Sequence, residues 1–225
     1  MDENAFASSL IRAIRGQTKL FMKNLVTLLT ALTLTTLTFA ADKEDGFKPL
    51  FNGKDTAGWK LRRATGHNSW TIENGVLKNT VNKGEHGTDL VTEQKYWNFT
   101  VRYEFQVPDG SNSGFYLRGR HELQILGDFK SGKPGKQGNG AIYNQTAPSE
   151  FASKAGGEWQ TCEATIIGNK ITVILNGKKI HDAVECNVAT GSELDKLVTE
   201  PGALFLQGDH GTVWFRNMRI KELAK

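Results

Sequence analysis

Residues Ser111 to Asp128 read Ser-Asn-Ser-Gly-Phe-Tyr-Leu-Arg-Gly-Arg-His-Glu-Leu-Gln-Ile-Leu-Gly-Asp. Apolar and polar residues alternate with period two on each side of Gly119, a residue able to take positive φ, which predicts two short antiparallel strands joined there. Asn112, Gly114, Tyr116 and Arg118 share one face of the first strand, and Glu122 and Gln124 share one face of the second. A three-residue loop of Gly119, Arg120 and His121 sets Arg118 opposite Glu122 and Tyr116 opposite Gln124, merging the polar rows into one patch. A two-residue loop would split the rows between the two faces, so the patch depends on register. A wet sheet face is an ordinary feature, but Asn, Tyr, Arg, Glu and Gln together supply donors, acceptors, a carboxylate and a fixed cation.

Working outward, strand signals recur at short intervals. Asn74-Gly75 lies between alternating runs in Trp70 to Lys78, a two-residue hairpin signal. Val101, Tyr103, Phe105 and Val107 alternate with polar residues, as in a half-buried strand. Thr161 to Ile167, Ile171 to Leu175 and Lys179 to His181, separated by Gly168-Asn169 and Asn176-Gly177, form a meander. Ala203 to Leu206 and Thr212 to Ile220 close the chain, with a bulge expected near Arg216-Asn217 and two helical turns possible over Ser192 to Val198. Roughly ten to twelve strands and little helix predict an all-β antiparallel sandwich.

The N-terminal 40 residues stand apart. Lys19 and Lys23 precede an apolar run from Leu25 to Leu37, and Thr38-Phe39-Ala40-Ala41 offers small residues for cleavage, the pattern of a secretory signal, with translation expected to start at Met22. Residues 1–40 are therefore read as extension and signal, and 41–225 as a single domain that is periplasmic or secreted. The mature chain keeps 24 basic and 22 acidic residues, which gives no argument for nucleic acid, and no membrane span remains after signal removal. Export permits Cys162 and Cys186 to pair without requiring it. The Lys130 to Gly140 loop lacks the ending of a phosphate cradle but could act as a lid. Trp59, Trp70, Trp97 and Trp214 are expected in the core, and His67, His86 and His181 at the surface. Gln207-Gly-Asp-His-Gly211 is either a solvated turn or one that holds an imidazole near the sheet.

Six blocks in order carry a resemblance: Leu50 to Trp59, Ser111 to Gly119 with Glu122 to Leu126, Gly140 to Tyr143, Gly157 to Trp159, Leu175 to Gly177, and Leu206 to Gly211. Together they resemble the 3-keto-disaccharide hydrolase domain family over about Phe47 to Leu223. The resemblance implies a concanavalin A-like jelly-roll, exported and acting on glycosides whose C3 hydroxyl has been oxidised to a ketone by a separate sugar 3-dehydrogenase. Three departures stand out: Cys162 where an aromatic residue is usual, Gly127 between Leu126 and Asp128, and the long Lys130 to Gly140 loop.

Carboxylate spacing bears on that implication. Conventional glycosidases hold two carboxyl groups about 5–10 Å apart, a separation that residues i and i+2 of a strand, about 6.7 Å apart, could provide. Gln124 occupies that position relative to Glu122, so the local pair is missing. A 3-keto sugar needs instead a base near C2, a donor or cation facing the C3 oxygen, and an acid near the leaving oxygen. Glu122 or His210 is the expected base, the other the acid, and Arg118 the oxyanion partner. Asn112, Tyr116, Gln124, Asp128, Tyr143, Gln207 and Asp209 are expected to bind substrate, with Trp159 stacking on a sugar face. No cofactor is required, although a divalent metal held by Glu122, Asp128, Asp209 and His210 could replace Arg118. The expected partner is a small-molecule carbohydrate. The alternatives are a non-catalytic carbohydrate-binding sandwich and a laminarinase-like hydrolase on the same fold.

Overall fold

The computed structural model describes residues 46–82 and 84–224. The apolar run and cleavage site read as a signal, and Met22, lie outside them. Thirteen strands follow in order: β1 (Lys48–Pro49), β2 (Trp59–Leu61), β3 (Trp70–Glu73), β4 (Val76–Asn79), β5 (Leu90–Tyr96), β6 (Phe99–Gln106), β7 (Asn112–Leu117), β8 (His121–Leu126), β9 (Trp159–Ile167), β10 (Lys170–Leu175), β11 (Lys178–Glu185), β12 (Gly202–Leu206) and β13 (Val213–Glu222). One sheet runs β11-β10-β9-β6-β13-β4-β3 with β1 against β13, and the other runs β2-β5-β12-β7-β8. All pairs are antiparallel. The molecule is thus the antiparallel β-sandwich that the alternation predicts, with the jelly-roll build that the resemblance implies.

Local chemistry sets each turn. Asn74 (φ 51°) with Gly75 (φ 78°) and Asn176 (φ 52°) with Gly177 (φ 81°) take the two successive positive φ values of a type I′ hairpin, a cost that Asn and Gly bear most easily. The alternation of β13 slips between Arg216 and Arg219, with Asn217 left-handed, as the bulge signal anticipates. Between the sheets, β6 contributes Phe99, Val101, Tyr103 and Phe105, all nearly inaccessible, and Tyr103 stacks on Phe115 of β7 at 4.3 Å between centroids. Trp59 and Trp70 belong to this core, while Trp97 and Trp214 are half-buried under Arg118 and Lys78.

Ser192 to Val198 does not form helical turns. Residues 187–201 instead run as a strap across the outer face of the five-stranded sheet. Leu194 packs with Val91, Tyr116, Ala203 and Phe205, and its N–H donates to Gly119 O at 2.8 Å. Arg120, almost fully buried at the β7–β8 turn, donates to Asp195 Oδ1 and Glu200 O, both at 2.6 Å. Such outward apolar residues gain burial only if another segment covers them, and the strap supplies that cover. The free edge of β8 is closed by residues 140–143: Gln124 N–H donates to Ala141 O, and Tyr143 N–H to Glu122 O.

Cys162 and Cys186 are both free and buried. Burial pushes their thiols up to about 12 and about 11, respectively. Neither thiol should therefore react with a disulfide reagent in the native protein, both should titrate after denaturation, and reductant should leave the melting temperature unchanged.

Candidate active site

The hairpin register pairs Leu117 with His121, Tyr116 with Glu122 and Gly114 with Gln124. It is offset by two residues from the expected pairing. Arg118 (φ 55°) and Gly119 (φ 68°) are both left-handed, and Arg120 N–H closes the turn on Leu117 O at 3.1 Å, so the loop begins one residue early. A shift of two preserves which face each side chain takes, and the polar patch survives with new neighbours. Tyr116 now donates its phenol to Glu122 Oε2 at 2.7 Å. Glu122 is 4% exposed, and burial pushes its carboxyl up to about 7, against the pull of the Tyr116 hydrogen bond and the His210 imidazole. The nearby Asp209 and Asp89 carboxylates push the same way as burial. Gly114 makes room for the group, since a Cβ there would sit 2.6 Å from Glu122 Oε1.

A cavity of about 630 Å³, within the size range of small-molecule sites, is lined by Asp89 and Asp209, the carboxylates whose charge reaches Glu122, while Glu122 and His210 are not among its lining residues. Gln207 and Asp209 line it, as expected of substrate-binding residues. Arg62, Arg63, His86, Thr88, Asp89 and Ser192 line it too, and sequence reasoning missed them as site residues. Asp89 Oδ2 accepts from Arg62 Nη1 at 3.0 Å, and its Oδ1 accepts from the Gly208 N–H. Arg62 also donates to Ser192 O and Glu193 O, both at 2.9 Å, pinning the strap, and its guanidinium lies 5.4 Å from the Phe205 ring. Phe205 in turn stacks on Tyr116 at 3.7 Å.

The turn between β12 and β13 is held from β4. Asn79, inaccessible to solvent, donates its amide to Gly208 O at 3.0 Å and Gly211 O at 2.7 Å, bracketing Asp209 and His210. No side chain fits at Gly87, because its Cβ would collide with Gly208 O, so the loops before β5 and after β12 interlock. On this turn His210 Nδ1 meets Asp209 Oδ1 at 2.5 Å, with both side chains about half exposed. Gln207 Oε1 and Asn112 Oδ1 are buried acceptors with no partner among the described residues, and of the two only Gln207 lines the cavity.

Several expected site residues lie elsewhere. The left-handed backbone turns Arg118 off the patch, and its guanidinium donates to Trp97 O and Gly168 O, both at 2.7 Å, over the Trp97 ring. Arg118 is thus a clamp between the two sheets, and the cations at the cavity are Arg62 and Arg63. Trp159 faces outward from the eight-stranded sheet, where Arg216 covers its ring at 3.9 Å. Asp128 accepts from Ser153 Oγ and Asn139 N–H, which fixes the loop after β8. Among the described residues no three His, Cys, Asp or Glu side chains form a ligand set, so Glu122, Asp128, Asp209 and His210 are not gathered as one. Gln124 donates to Gln137 O, and Tyr143 runs alongside β8. His86 is exposed but lines the cavity, while His181 is buried, its Nε2 2.9 Å from Gly140 O.

Comparison with known proteins gives this geometry a context. The 3-keto-alpha-glucoside-1,2-lyase-like domain family matches residues 46–221. The chain belongs to this family. It is 28% identical to a 3-keto-disaccharide hydrolase of Bacteroides thetaiotaomicron, covering 80% of this chain and 79% of that one. Two crystal structures of Parabacteroides distasonis proteins described as candidate glycosyl hydrolases superpose with TM-scores of 0.63 and 0.64. They share 27% and 26% identity, over 80% of this chain and 84% and 95% of theirs. The family member described here is a carbohydrate-active, hydrolase-like enzyme.

Two outcomes follow from the packing of Glu122. Gly114→Ala forces the carboxylate from its seat and should lower turnover at least tenfold while the protein stays folded by circular dichroism. Because the folded pKa of Glu122 lies above its unfolded value, its contribution to stability falls as pH rises from about 4.5 to about 7. Glu122→Gln should therefore raise stability by about 1–3 kcal/mol at pH 8 and by little at pH 5, as read from urea melts.

Proposed function

We infer that this family member cleaves 3-keto-glycosides by elimination across C1 and C2 of the oxidised sugar, followed by hydration. The observation that carries the reading is the buried Glu122 carboxyl, pushed up to about 7 and within electrostatic reach of His210 and of Asp89 and Asp209, two carboxylates that line the cavity. Such a group is deprotonated often enough near neutrality to act as a base and basic enough to take a proton from carbon. The family's description as a 1,2-lyase-like domain supports the same regiochemistry.

Glu122 removes the C2 proton, and the C–H electron pair becomes the enolate whose charge rests on the C3 oxygen. Arg62 donates three of its five N–H groups to Asp89, Ser192 and Glu193, leaving Nε–H and one Nη2–H for that oxygen. Collapse of the enolate breaks the C1–O bond, and His210, oriented by Asp209, protonates the departing oxygen. Water then adds at C1 and a proton returns to C2, giving the free 3-keto sugar. Gln207 offers its unpartnered acceptor to a hydroxyl. The three carboxylates around the site do not favour a conventional double-carboxylate hydrolysis, since Asp89 is bound by Arg62 and Asp209 by His210. The ketone would come from a separate sugar 3-dehydrogenase, and the N-terminal run would export the chain to the periplasm or beyond.

Incubation with 3-keto-lactose or 3-keto-trehalose should release the free 3-keto sugar, with a bell-shaped pH dependence of kcat/KM that rises as Glu122 ionises and falls as His210 loses its proton. Glu122→Gln and His210→Ala should each reduce kcat by about a hundredfold or more. A protein that binds these sugars and leaves them intact is a carbohydrate-binding module. Near wild-type turnover in both variants would reject the assigned roles.

A further inference from the structure

Charge around the cavity closes in pairs except along one rim. Arg62 is matched by Asp89 at 3.0 Å, His210 by Asp209 at 2.5 Å, and the Glu122 carboxyl by the Tyr116 phenol. Arg63 and His86 line the same cavity, and among the described residues neither makes an ion pair or a side-chain hydrogen bond. Both are exposed, whereas Glu122 is buried, so the rim lies on the solvent side of the reacting carboxyl.

An exposed Arg or His is commonly only solvated. These two are set apart by how their backbones are held. Arg63 opens a tight turn closed by Gly66 N–H on Arg63 O at 2.9 Å. That turn is pressed onto Thr88, where a Cβ on Gly66 would collide with Thr88 Oγ1. His86 adjoins Gly87, whose own close approach to Gly208 O locks it to the His210 turn. The two donors are thus stationed on loops packed together, Arg63 on the turn pressed onto Thr88 and His86 on the loop that carries Asp89 and abuts the His210 turn.

We propose that Arg63 and His86 form a leaving-group subsite that selects 3-keto-glycosides whose leaving group bears a carboxylate, as in an aldonic or uronic acid. The proposal rests on the reading given under Proposed function. With the keto sugar at Glu122 and its C1 oxygen at His210, the leaving group extends toward this rim. The planar guanidinium fork of Arg63 matches a carboxylate in two parallel hydrogen bonds, and the His86 imidazole adds a further donor. A neutral leaving group uses neither.

The test compares 3-keto-lactobionate with 3-keto-lactitol, which share the oxidised galactosyl group and differ in the open-chain leaving group only by carboxylate against hydroxymethyl. Wild-type kcat/KM should favour the carboxylate about tenfold at low ionic strength, and salt should erode the preference. Arg63→Gln should bring the ratio close to one, and Arg63→Glu should invert it, the ratio within each protein cancelling any loss of folded material. Equal kcat/KM values in the wild type, or a ratio unchanged by both variants, would overturn the subsite while leaving 3-keto-glycoside cleavage intact. Calorimetric binding of unoxidised lactobionate and lactitol separates the two readings. If neither keto substrate is consumed but lactobionate binds better to the wild type than to Arg63→Gln, the subsite stands and the cleavage reading falls. No turnover together with no binding preference rejects both.

Discussion

The Tyr116–Glu122 pair governs how the rest of the site is arranged. A carboxyl with only a few per cent of its surface exposed is costly to ionise, and one phenol at 2.7 Å does not compensate fully for lost water. The sheet must bring that pair into direct opposition, hold an empty space at Gly114, and set an imidazole close by. Each demand fixes a piece of backbone: the register of β7 on β8, a glycine in β7, and the turn after β12.

That turn owes its position to groups remote from the chemistry. Asn79 reaches from the other sheet to bind the carbonyls on either side of Asp209 and His210, and Gly87 meets Gly208 where no side chain could intervene. The Arg62–Asp89 pair adds a second tie, joining the loop before β5 to both Gly208 and the strap. Salt bridges at such partly exposed places contribute modestly to stability. Here the benefit is positional, because one guanidinium holds three separate segments in register.

Much of the architecture was legible because its signals are local. Asn-Gly turns, the alternation of β6, the β9–β11 meander and the bulge near Asn217 each depend on a few consecutive residues. The face shared by Tyr116 and Glu122 was legible for the same reason, since period-two alternation survives a two-residue slip. Arg118 was misjudged because its role turns on one left-handed φ, to which Arg gives no sequence signal. Asp89 and Arg62 were missed because they reach the site only through long-range packing, 33 and 60 residues before Glu122. Trp159 was drawn toward the sugar by its glycine-rich approach, although its parity in β9 points it outward. The bend over Ser192 to Val198 likewise follows Leu194 and Arg120, partners distant in sequence.

The strap is attached to the sheet by its own main chain, by Leu194, by the Thr190 hydroxyl, which accepts from Glu122 N–H, and by two arginines that belong to other segments. None of its residues joins a ladder. Its side chains outside these ties can vary without altering a strand ladder, but Thr190 is bound to the β7–β8 hairpin itself. Because the Thr190 hydroxyl accepts from the Glu122 main-chain N–H, an edit to the strap that moves Thr190 would be felt at the buried carboxyl as well as at the cavity wall, which ties the two to a common selection.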